Sequence, residues 1–409
     1  MSILIKDGIV VTQDVKRRVL RTDVLIKGNK ISDIGKHKMR EADQVIDAKG
    51  KIVIPGLINL HTHVAMSTMR GYADDLPLEK FLEKTFAADA KRKSDDVLEG
   101  ARLGCAELAL TGTTSFLDLY YGQDKIGKAT EEIGIRGFLG WTVLDDDKTT
   151  QRGSPIKNCE RFIDNWKGHK LVKPVVAPQG VYACSEETLH KARALAKKKR
   201  TFCHYHLSET RGEVYEHLRK TNKRPVDWLH DIGFLAKGDV AAHVGWITKG
   251  EARILAEGGV SVAHCPTSNL KLAVGGVAPV VEIKEMGGTV GLGTDGSSSN
   301  NSMDIFSEMK ICALIHKHSR WDPTVMNAQQ VLDMVTVEGA KALGKGDKLG
   351  SIEVGKLADV VVVDSMRIGM APTTAQNAVS NLVYSCSGQF VHCTIVDGKI
   401  VAYDGELIG

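Results

Sequence analysis

Histidines and acidic residues at the ends of apolar, strand-like segments are the groups whose types and spacing could carry chemistry. In "PGLINLHTHV", His61 and His63 close an apolar run. A buried strand excludes such side chains unless something satisfies them. Residues two apart on a strand share one face, so both imidazoles can chelate one ion. Later segments end in the same way, with Gln179, His206, Glu209, His243, His264 and Asp295.

These donors predict a metal-dependent hydrolase. Imidazole and carboxylate ligands suit zinc, and also iron or nickel. Three histidines and one aspartate leave room for a water, whose pKa the metal lowers towards about 7, making a hydroxide nucleophile available. A glutamate beside the metal, such as Glu209, can shuttle protons. A histidine such as His243 can polarise the atom under attack.

Other histidines have less specific surroundings. His204 lies two residues before His206, and we expect it to be a packed or hydrogen-bonded strand residue. His316 and His318 lie in "EMKICALIHKHSR", which is typical of a helix. Residues two apart on a helix face different directions, so this pair is predicted to be solvated or partly buried. His264 is either a group that contacts other ligands or the substrate, or a packed strand-end residue.

The elements that must position these residues form a β/α alternation between about 56 and 345. Apolar runs without internal alternation of polarity are typical of strands covered on both faces. Eight such units predict a (β/α)₈ barrel over 56–349, with a doubly wound open sheet as the alternative. Segments 1–55 and 350–409 are rich in strand-turn-strand patterns and predict one small β-sandwich built from both chain ends. In a barrel, the carboxyl ends of the strands carry the active site.

Composition narrows the class of protein further. The 409 residues carry a net charge of +4, spread along the chain without a basic stripe, so no nucleic-acid partner is expected. No apolar run reaches the roughly 18 residues of a membrane helix. The eight cysteines form no CxxC pair, and the N-terminus does not resemble a signal peptide. We therefore expect a cytoplasmic protein with reduced thiols.

Five motifs in order resemble the amidohydrolase superfamily over essentially the whole chain: "PGLINLHTHVAMSTMRGYADDLP", "HYHLSET", "AHVGW", "AHCPTSNLKLAVGGVAPV" and "LGTDGSSSNNSMDIFSEM". The similarity is greatest to deaminases of 5′-methylthioadenosine, S-adenosylhomocysteine and related adenosines, and then to triazine hydrolases. It implies a barrel with a β-sandwich, and a reaction in which water replaces an exocyclic amine of a nitrogen heterocycle and ammonia leaves. Relatives of this kind are commonly homodimers or homotetramers.

The resemblance also implies roles for single residues. His61, His63, His206 and Asp295 would bind one divalent metal ion, commonly zinc and occasionally iron. Glu209 would shuttle the proton, His243 would contact the reacting centre, and Asp295 would also accept a proton from the nucleophilic water. The fourth strand offers Gln179 and no lysine that could bridge two metals, so one ion is expected.

Three positions depart from the adenosine branch. Where that branch has a ribose-holding glutamate, this chain has Ala90, with Asp89 adjacent. Trp141 stands in place of an arginine, and Gln179 in place of a histidine. Trp141 offers a stacking face and Gln179 an amide, so both are candidate substrate contacts, as is Asp89.

The substrate class therefore stays open between two groups. Whole-chain similarity favours an adenosine derivative, whereas the three departures favour a free base, pterin or triazine-like ring. Hydrolysis of a ring C–Cl, C–S or amide bond by the same site is a further alternative, and a barrel without catalysis is disfavoured because every ligand is present.

Overall fold

A computed structural model describes residues 1–39 and 42–408 of the chain. Residues 40, 41 and 409 belong to the predicted terminal sandwich and lie outside the described residues. Within the described ranges, no helix combines the length and apolar character needed to cross a bilayer.

Seventeen strands are present in the described part of the chain. They are β1 (Ser2–Val11), β2 (Val19–Lys27), β3 (Lys30–Gly35), β4 (Gln44–Asp47), β5 (Lys51–Pro55), β6 (Leu57–Thr62), β7 (Thr113–Tyr120), β8 (Arg136–Val143), β9 (Val172–Pro178), β10 (His204–Leu207), β11 (Val240–His243), β12 (Ser261–His264), β13 (Val290–Leu292), β14 (Val360–Asp364), β15 (Val391–Val396), β16 (Lys399–Tyr403) and β17 (Glu406–Leu407).

The helices lie mostly between the strands of the central segment. They are α1 (Leu78–Asp89), α2 (Ser94–Leu110), α3 (Gln123–Ile133), α4 (Pro155–Asn165), α5 (Glu186–Lys199), α6 (Arg211–Thr221), α7 (Pro225–Asp231), α8 (Lys249–Glu257), α9 (Pro266–Lys271), α10 (Val280–Glu285), α11 (Ser297–Asn300), α12 (Ile305–Arg320), α13 (Ala328–Met334), α14 (Val337–Ala342) and α15 (Ala378–Tyr384). Short 3₁₀ helices cover Val64–Met69, Ile368–Met370 and Gly388–Phe390.

The eight central strands form the predicted barrel. Strands β6 to β9 pair in parallel as one arc, and β10 to β13 pair in parallel as a second. A parallel bridge between Val176 and Cys203 joins the arcs at one seam, and a bridge between Thr62 and Asp295 joins them at the other. The barrel prediction is confirmed, and the seam at Asp295 places that residue beside the end of β6.

Both chain ends contribute to one additional β-structure, as predicted. Strand β14 pairs antiparallel with β5, which joins the C-terminal strands to the N-terminal ones. The first half of β1 pairs with β4 and the second half with β5, with a register shift between Ile5 and Gly8. The strands therefore fork at β1 and enclose an apolar core of their own. Strand β5 ends at Pro55 and β6 begins at Leu57; the domain boundaries proposed from the sequence stay a prediction.

Local sequence explains why individual helices begin and end where they do. In α5, the Ser185 side chain accepts a hydrogen bond from the Thr188 amide, which caps the first turn. Glutamates occupy that turn and Lys197–Lys199 occupy the last, so both ends complement the helix dipole. The chain leaves the helix at Arg200 in a left-handed conformation.

Candidate active site

The four predicted metal ligands meet at the carboxyl end of the barrel. The Nε2 atoms of His61 and His63 lie 3.4 and 3.1 Å from Oδ1 of Asp295. Nε2 of His206 lies 3.3 Å from Nε2 of His63. All four side chains are buried or nearly so, although they come from β6 and the residue after it, from β10 and from the segment after β13. The structure thus brings together side chains separated by more than 200 positions in the sequence.

Hydrogen bonds to main-chain carbonyls orient two of these imidazoles. Nδ1 of His63 donates to the carbonyl oxygen of Leu119 at 2.5 Å, and Nδ1 of His206 donates to that of Gln179 at 2.9 Å. A carbonyl oxygen can only accept, so Nδ1 carries the hydrogen in both rings. In the neutral form, each Nε2 lone pair therefore points towards the other two ligands, as metal binding requires.

His204 orients the third imidazole, a role that the sequence did not reveal. Its Nδ1 donates to the carbonyl oxygen of Val240 at 2.9 Å. Burial lowers the pKa of His204 to about 3, so the ring is neutral and its Nε2 is an acceptor. Nδ1 of His61 donates to this Nε2 at 2.8 Å, which leaves the His61 Nε2 with a free lone pair. That atom is buried and has no hydrogen-bond partner among the described residues.

The donor set fits a divalent cation. Burial holds the pKa of His61 well below its usual value, although the nearby Asp295 acts in the opposite direction. Burial also holds the pKa of His206 well below its usual value. Burial opposes the protonated form of His63 too, but hydrogen bonding and charge from Asp295 raise its pKa to about 9. Burial alone would raise the pKa of Asp295, yet the His61 and His63 imidazoles hold it well below its usual value. A buried carboxylate facing imidazole lone pairs is the environment in which a cation replaces protons.

Asp295 is held by its own side-chain contacts. Its Oδ2 accepts hydrogen bonds from the hydroxyls of Ser268, at 2.6 Å, and Ser299, at 2.7 Å. Its backbone has a φ of 63°, a left-handed conformation. Just before it, Gly293 allows close approach, because a Cβ there would lie 2.7 Å from Cβ of His61. These contacts leave Oδ1 to face the histidines.

Glu209 and His243 lie side by side next to the ligand cluster. Nε2 of His243 is 3.8 Å from Oε2 of Glu209, and Nδ1 of His243 donates to Oδ1 of Asn269 at 3.0 Å. The Nε2 atom has no hydrogen-bond partner in the described ranges. Burial raises the pKa of Glu209, which His243 partly offsets, so the carboxyl can take up and release a proton.

A cavity of about 400 Å³ opens from His63 towards solvent. Its wall is largely apolar and aromatic and includes Phe86, Tyr121 and Tyr182. Among the described residues that line it there is no arginine, and its lysine, Lys148, lies 3.3 Å from a carboxylate oxygen of Asp145.

Asp89 and Ala90 both line this cavity, at the end of α1. The Asp89 carboxylate accepts a hydrogen bond from the Tyr120 hydroxyl and lies 3.5 Å from Nη1 of Arg92. Its side chain keeps 18% exposure, so it is still open to a ligand. The structure therefore places Asp89 at the cavity, and its contact with a substrate stays a prediction.

Trp141 lies outside the cavity, in contrast to the expectation that it offers a stacking face. It packs among the outward-facing residues of the barrel, with its ring centroid 6.2 Å from that of Phe162 on α4. Its indole N–H donates to Oε1 of Gln151 at 2.6 Å. Alternate residues of a strand face opposite sides of the sheet. Assigning Trp141 to a strand therefore did not decide whether its side chain faces the cavity or the helices. Gln151 itself lines the cavity.

Gln179 does line the cavity, and its amide donates to the Tyr182 hydroxyl at 2.9 Å. Tyr182 had no signal in the sequence beyond its proximity to the fourth strand. His264 lies away from the ligand cluster and contacts His316, which is fully buried. The prediction that His316 is solvated or partly buried was wrong, because its face of α12 packs against the barrel.

The chain is similar to known proteins over nearly its whole length. Residues 52–401 match the profile of the amidohydrolase family. The chain is 43% identical to a 5′-deoxyadenosine deaminase of Methanothrix thermoacetophila, over 95% of this chain and 91% of that one. It is 42% identical to a 5-methylthioadenosine/S-adenosylhomocysteine deaminase of Thermococcus onnurineus, over 100% of this chain and 95% of that one.

A solved structure shares the whole architecture. An adenosine deaminase from Xanthomonas campestris with bound zinc superimposes with a TM-score of 0.94 at 31% identity, covering 99% of this chain and 94% of that one. The barrel, its histidine and aspartate cluster and these similarities lead to one conclusion. The chain belongs to the amidohydrolase family.

Proposed function

We propose that this protein is a hydrolytic deaminase of adenosine derivatives whose 5′ end carries no charge, and that it uses one divalent ion, zinc in the first instance. The observation that carries the proposal is the cluster of His61, His63, His206 and Asp295 beside a cavity that holds a carboxylate, Asp89. The names of the 5′-deoxyadenosine and 5-methylthioadenosine/S-adenosylhomocysteine deaminases that it resembles support the substrate class.

The four ligands would hold the ion through three Nε2 atoms and Oδ1 of Asp295. When bound there, a divalent ion supplies Lewis acidity and lowers the pKa of water. The overall reaction replaces the exocyclic amine by oxygen: water adds at the carbon that bears the amine, the C–N bond breaks and ammonia leaves.

The residues of the chain would handle the protons of this reaction. Glu209 carries a proton from the attacking water to the ring nitrogen next to the reacting carbon, which its raised pKa permits. Asp295 accepts the second proton, which then leaves with the amine. His243, held by Asn269, presents Nε2 towards the reacting centre and orients the water or the developing oxygen.

The cavity wall supports an uncharged 5′ substituent. A homocysteine side chain brings an ammonium and a carboxylate, and the carboxylate needs a cationic partner. No arginine is among the described lining residues, and Lys148 is already close to Asp145. The apolar wall suits a methyl or methylthio group, and Asp89 can accept hydrogen bonds from sugar hydroxyls. We therefore propose a preference for 5′-deoxyadenosine and 5′-methylthioadenosine over S-adenosylhomocysteine.

Ammonia release from zinc-loaded protein tests the proposal. The panel comprises 5′-deoxyadenosine, 5′-methylthioadenosine, adenosine, S-adenosylhomocysteine, guanine, cytosine, an aminopterin and an amino-triazine, with Glu209→Gln as the inactive control. The first two compounds should have the highest kcat/KM. Turnover confined to free rings would overturn the nucleoside assignment. Release of chloride or thiol without ammonia, from chlorinated or alkylthio rings, would replace deamination by the alternative hydrolysis.

Two wider properties belong to this proposal. All eight cysteines are buried and free, which fits a reducing compartment such as the cytoplasm. Assembly into dimers or tetramers stays a prediction from the sequence, and size-exclusion chromatography with light scattering tests it.

A further inference from the structure

A second cluster of potential metal ligands lies between barrel strand β12 and helix α12. It consists of His264, Cys312 and His316, whose ligand atoms all lie within 4.8 Å of one another. All three side chains are buried, with 2% exposure at His264 and none at Cys312 and His316. None of them belongs to the histidine and aspartate cluster of the active site.

The spacing of these residues suits chelation. Cys312 and His316 are four apart on α12, so they lie on the same helix face. His264 ends β12 and meets that face from the barrel. Nε2 of His264 is 3.2 Å from Nε2 of His316. Two nitrogens bound at about 2.0–2.1 Å to one tetrahedral zinc ion lie at roughly this separation, about 3.4 Å.

The two imidazoles of this cluster bond to each other and to no other protein group in the described ranges. Their Nε2 atoms form the shared contact, and their buried Nδ1 atoms have no hydrogen-bond partner among these residues, so no other protein group holds either ring. The surroundings of α12 are largely apolar core residues. Burial lowers the pKa of both imidazoles, to about 4 for His316, so both are neutral and can act as ligands.

We propose that His264, Cys312 and His316 bind a second transition-metal ion of the zinc type, with two imidazoles and one thiolate as ligands. Binding breaks the hydrogen bond between the two Nε2 atoms, and the hydrogen that it used moves to Nδ1 of the same ring. The Cys312 thiol releases one proton to solvent as the metal–sulfur bond forms. The metal changes no oxidation state.

The charge of such a site can be balanced within the same helix. Zinc with one thiolate and two neutral imidazoles carries one net positive charge. Burial raises the pKa of the Cys312 thiol, and the charge of Glu308, one turn before it on α12, raises that pKa further. Burial raises the pKa of Glu308 itself to about 7, and a neighbouring cation favours its ionised form.

The position of the cluster indicates a structural role. Glu308 accepts hydrogen bonds from Asn300, in the segment after Asp295, and from the amide of Thr267, after β12. An ion at Cys312 would tie α12 to β12 directly behind these segments. Metal loss there should therefore lower thermal stability while the chemistry at the active site continues.

Cobalt substitution tests the second site separately from the first. The active-site ligands offer only nitrogen and oxygen, so a thiolate-to-cobalt charge-transfer absorption reports the cysteine site alone. Metal-free full-length protein is titrated with Co²⁺ and followed by absorbance and by metal analysis. We expect two ions per chain and a charge-transfer band that saturates with one of them.

Matched cysteine variants identify the thiolate. Cys312→Ser should lose the band and one of two ions while keeping ammonia release in the deaminase assay. Cys105→Ser, which alters another buried cysteine located on α2, should keep the band and both ions. A band that survives in Cys312→Ser would overturn the assignment.

X-ray absorption of the wild-type zinc protein avoids any dependence on variant folding. A sulfur neighbour at about 2.3 Å is expected as half a ligand per zinc on average, since one of two ions has a thiolate. One ion per chain, with no sulfur neighbour, would reject the second site whether or not the protein deaminates adenosines. The pair would then be two hydrogen-bonded core histidines.

Discussion

Oε2 of Glu213 accepts a hydrogen bond from the backbone amide of Glu209 at 2.8 Å, and Oε1 accepts one from the amide of Ser208 at 2.9 Å. Ser208 has a φ of 48°, so the chain turns sharply between His206 and Glu209. One carboxylate in the first turn of α6 therefore fixes the turn that carries the proposed proton shuttle. Glu213 thus positions Glu209 through two main-chain hydrogen bonds and does not hydrogen-bond to the Glu209 carboxyl itself.

Loss of the Glu213 carboxylate should slow catalysis without removing the metal. In Glu213→Ala the turn loses both acceptors, and a small displacement of Glu209 is expected to lower kcat by about 10²-fold. Glu213→Gln keeps one acceptor, so its kcat should lie between those of Glu213→Ala and the wild type. Steady-state kinetics measure kcat and zinc analysis measures the metal content, with the exposed Glu216→Ala on the same helix as control. An unchanged kcat in Glu213→Ala would remove the positioning role.

Glu209→Gln should keep the metal and lose most of the turnover. The amide has nearly the same shape but cannot shuttle a proton, so kcat should fall by about 10²–10⁴-fold. KM should change much less than kcat, because the side chain contributes to proton transfer more than to binding. Ammonia release and zinc content are measured on the same preparation. Wild-type turnover would exclude Glu209 from the mechanism.

His204→Phe should weaken metal binding although His204 is not a proposed ligand. The substitution removes the acceptor of the His61 Nδ1–H, which fixes the position of that hydrogen and the ring orientation. Loss of such a partner typically costs about 10–100-fold in metal affinity. Competition with a chromophoric chelator gives the affinity, and His217→Phe, away from the ligand cluster, serves as control.

Chelation of the wild type should abolish activity, and added zinc should restore it. Activity that persists in fully metal-free protein would contradict the metal proposal.

Asp89→Ala should raise KM for 5′-deoxyadenosine by about tenfold or more, since a buried hydrogen bond to a charged group contributes about 1.5–3 kcal/mol. The effect on a substrate without a sugar, such as adenine, should be small. The same assay with Asp95→Ala provides the control, because Asp95 is 87% exposed. An equal effect on nucleoside and free base would show that Asp89 does not read the sugar.

Asp359→Ala should destabilise the fold far from the active site. Asp359 pairs with Arg136 at 3.1 Å, both side chains are at most 5% exposed, and the pair links β8 to the segment before β14. Removing one partner of a buried pair costs about 3–5 kcal/mol, and here Asp397, 3.8 Å from Arg136, retains part of the interaction. Chemical denaturation measures the loss. Glu83→Ala, which breaks an exposed pair with Lys80, should change little.

Residue type and spacing determined much of the site before any fold was known. HxH at the end of an apolar run, HxxE after another, and Asp after a third identify metal donors and an acid at strand ends. Parallel strands bring their carboxyl ends to one rim, so these residues had to meet if the β/α alternation was right. Both chain ends also carried enough strand and turn signals to predict their joint β-structure.

Tertiary packing decided the rest, because it depends on which distant segments share a surface. Trp141 lies on the face of β8 that packs against α4, whereas the residues next to it in the strand face the other side. His204 became a partner of His61 because their strands lie in the two arcs of one closed ring. His264 and His316 met only because α12 packs on the outside of β12. Local sequence specifies which atoms can donate or accept, whereas the long-range packing of strands and helices specifies where those atoms point and what they touch.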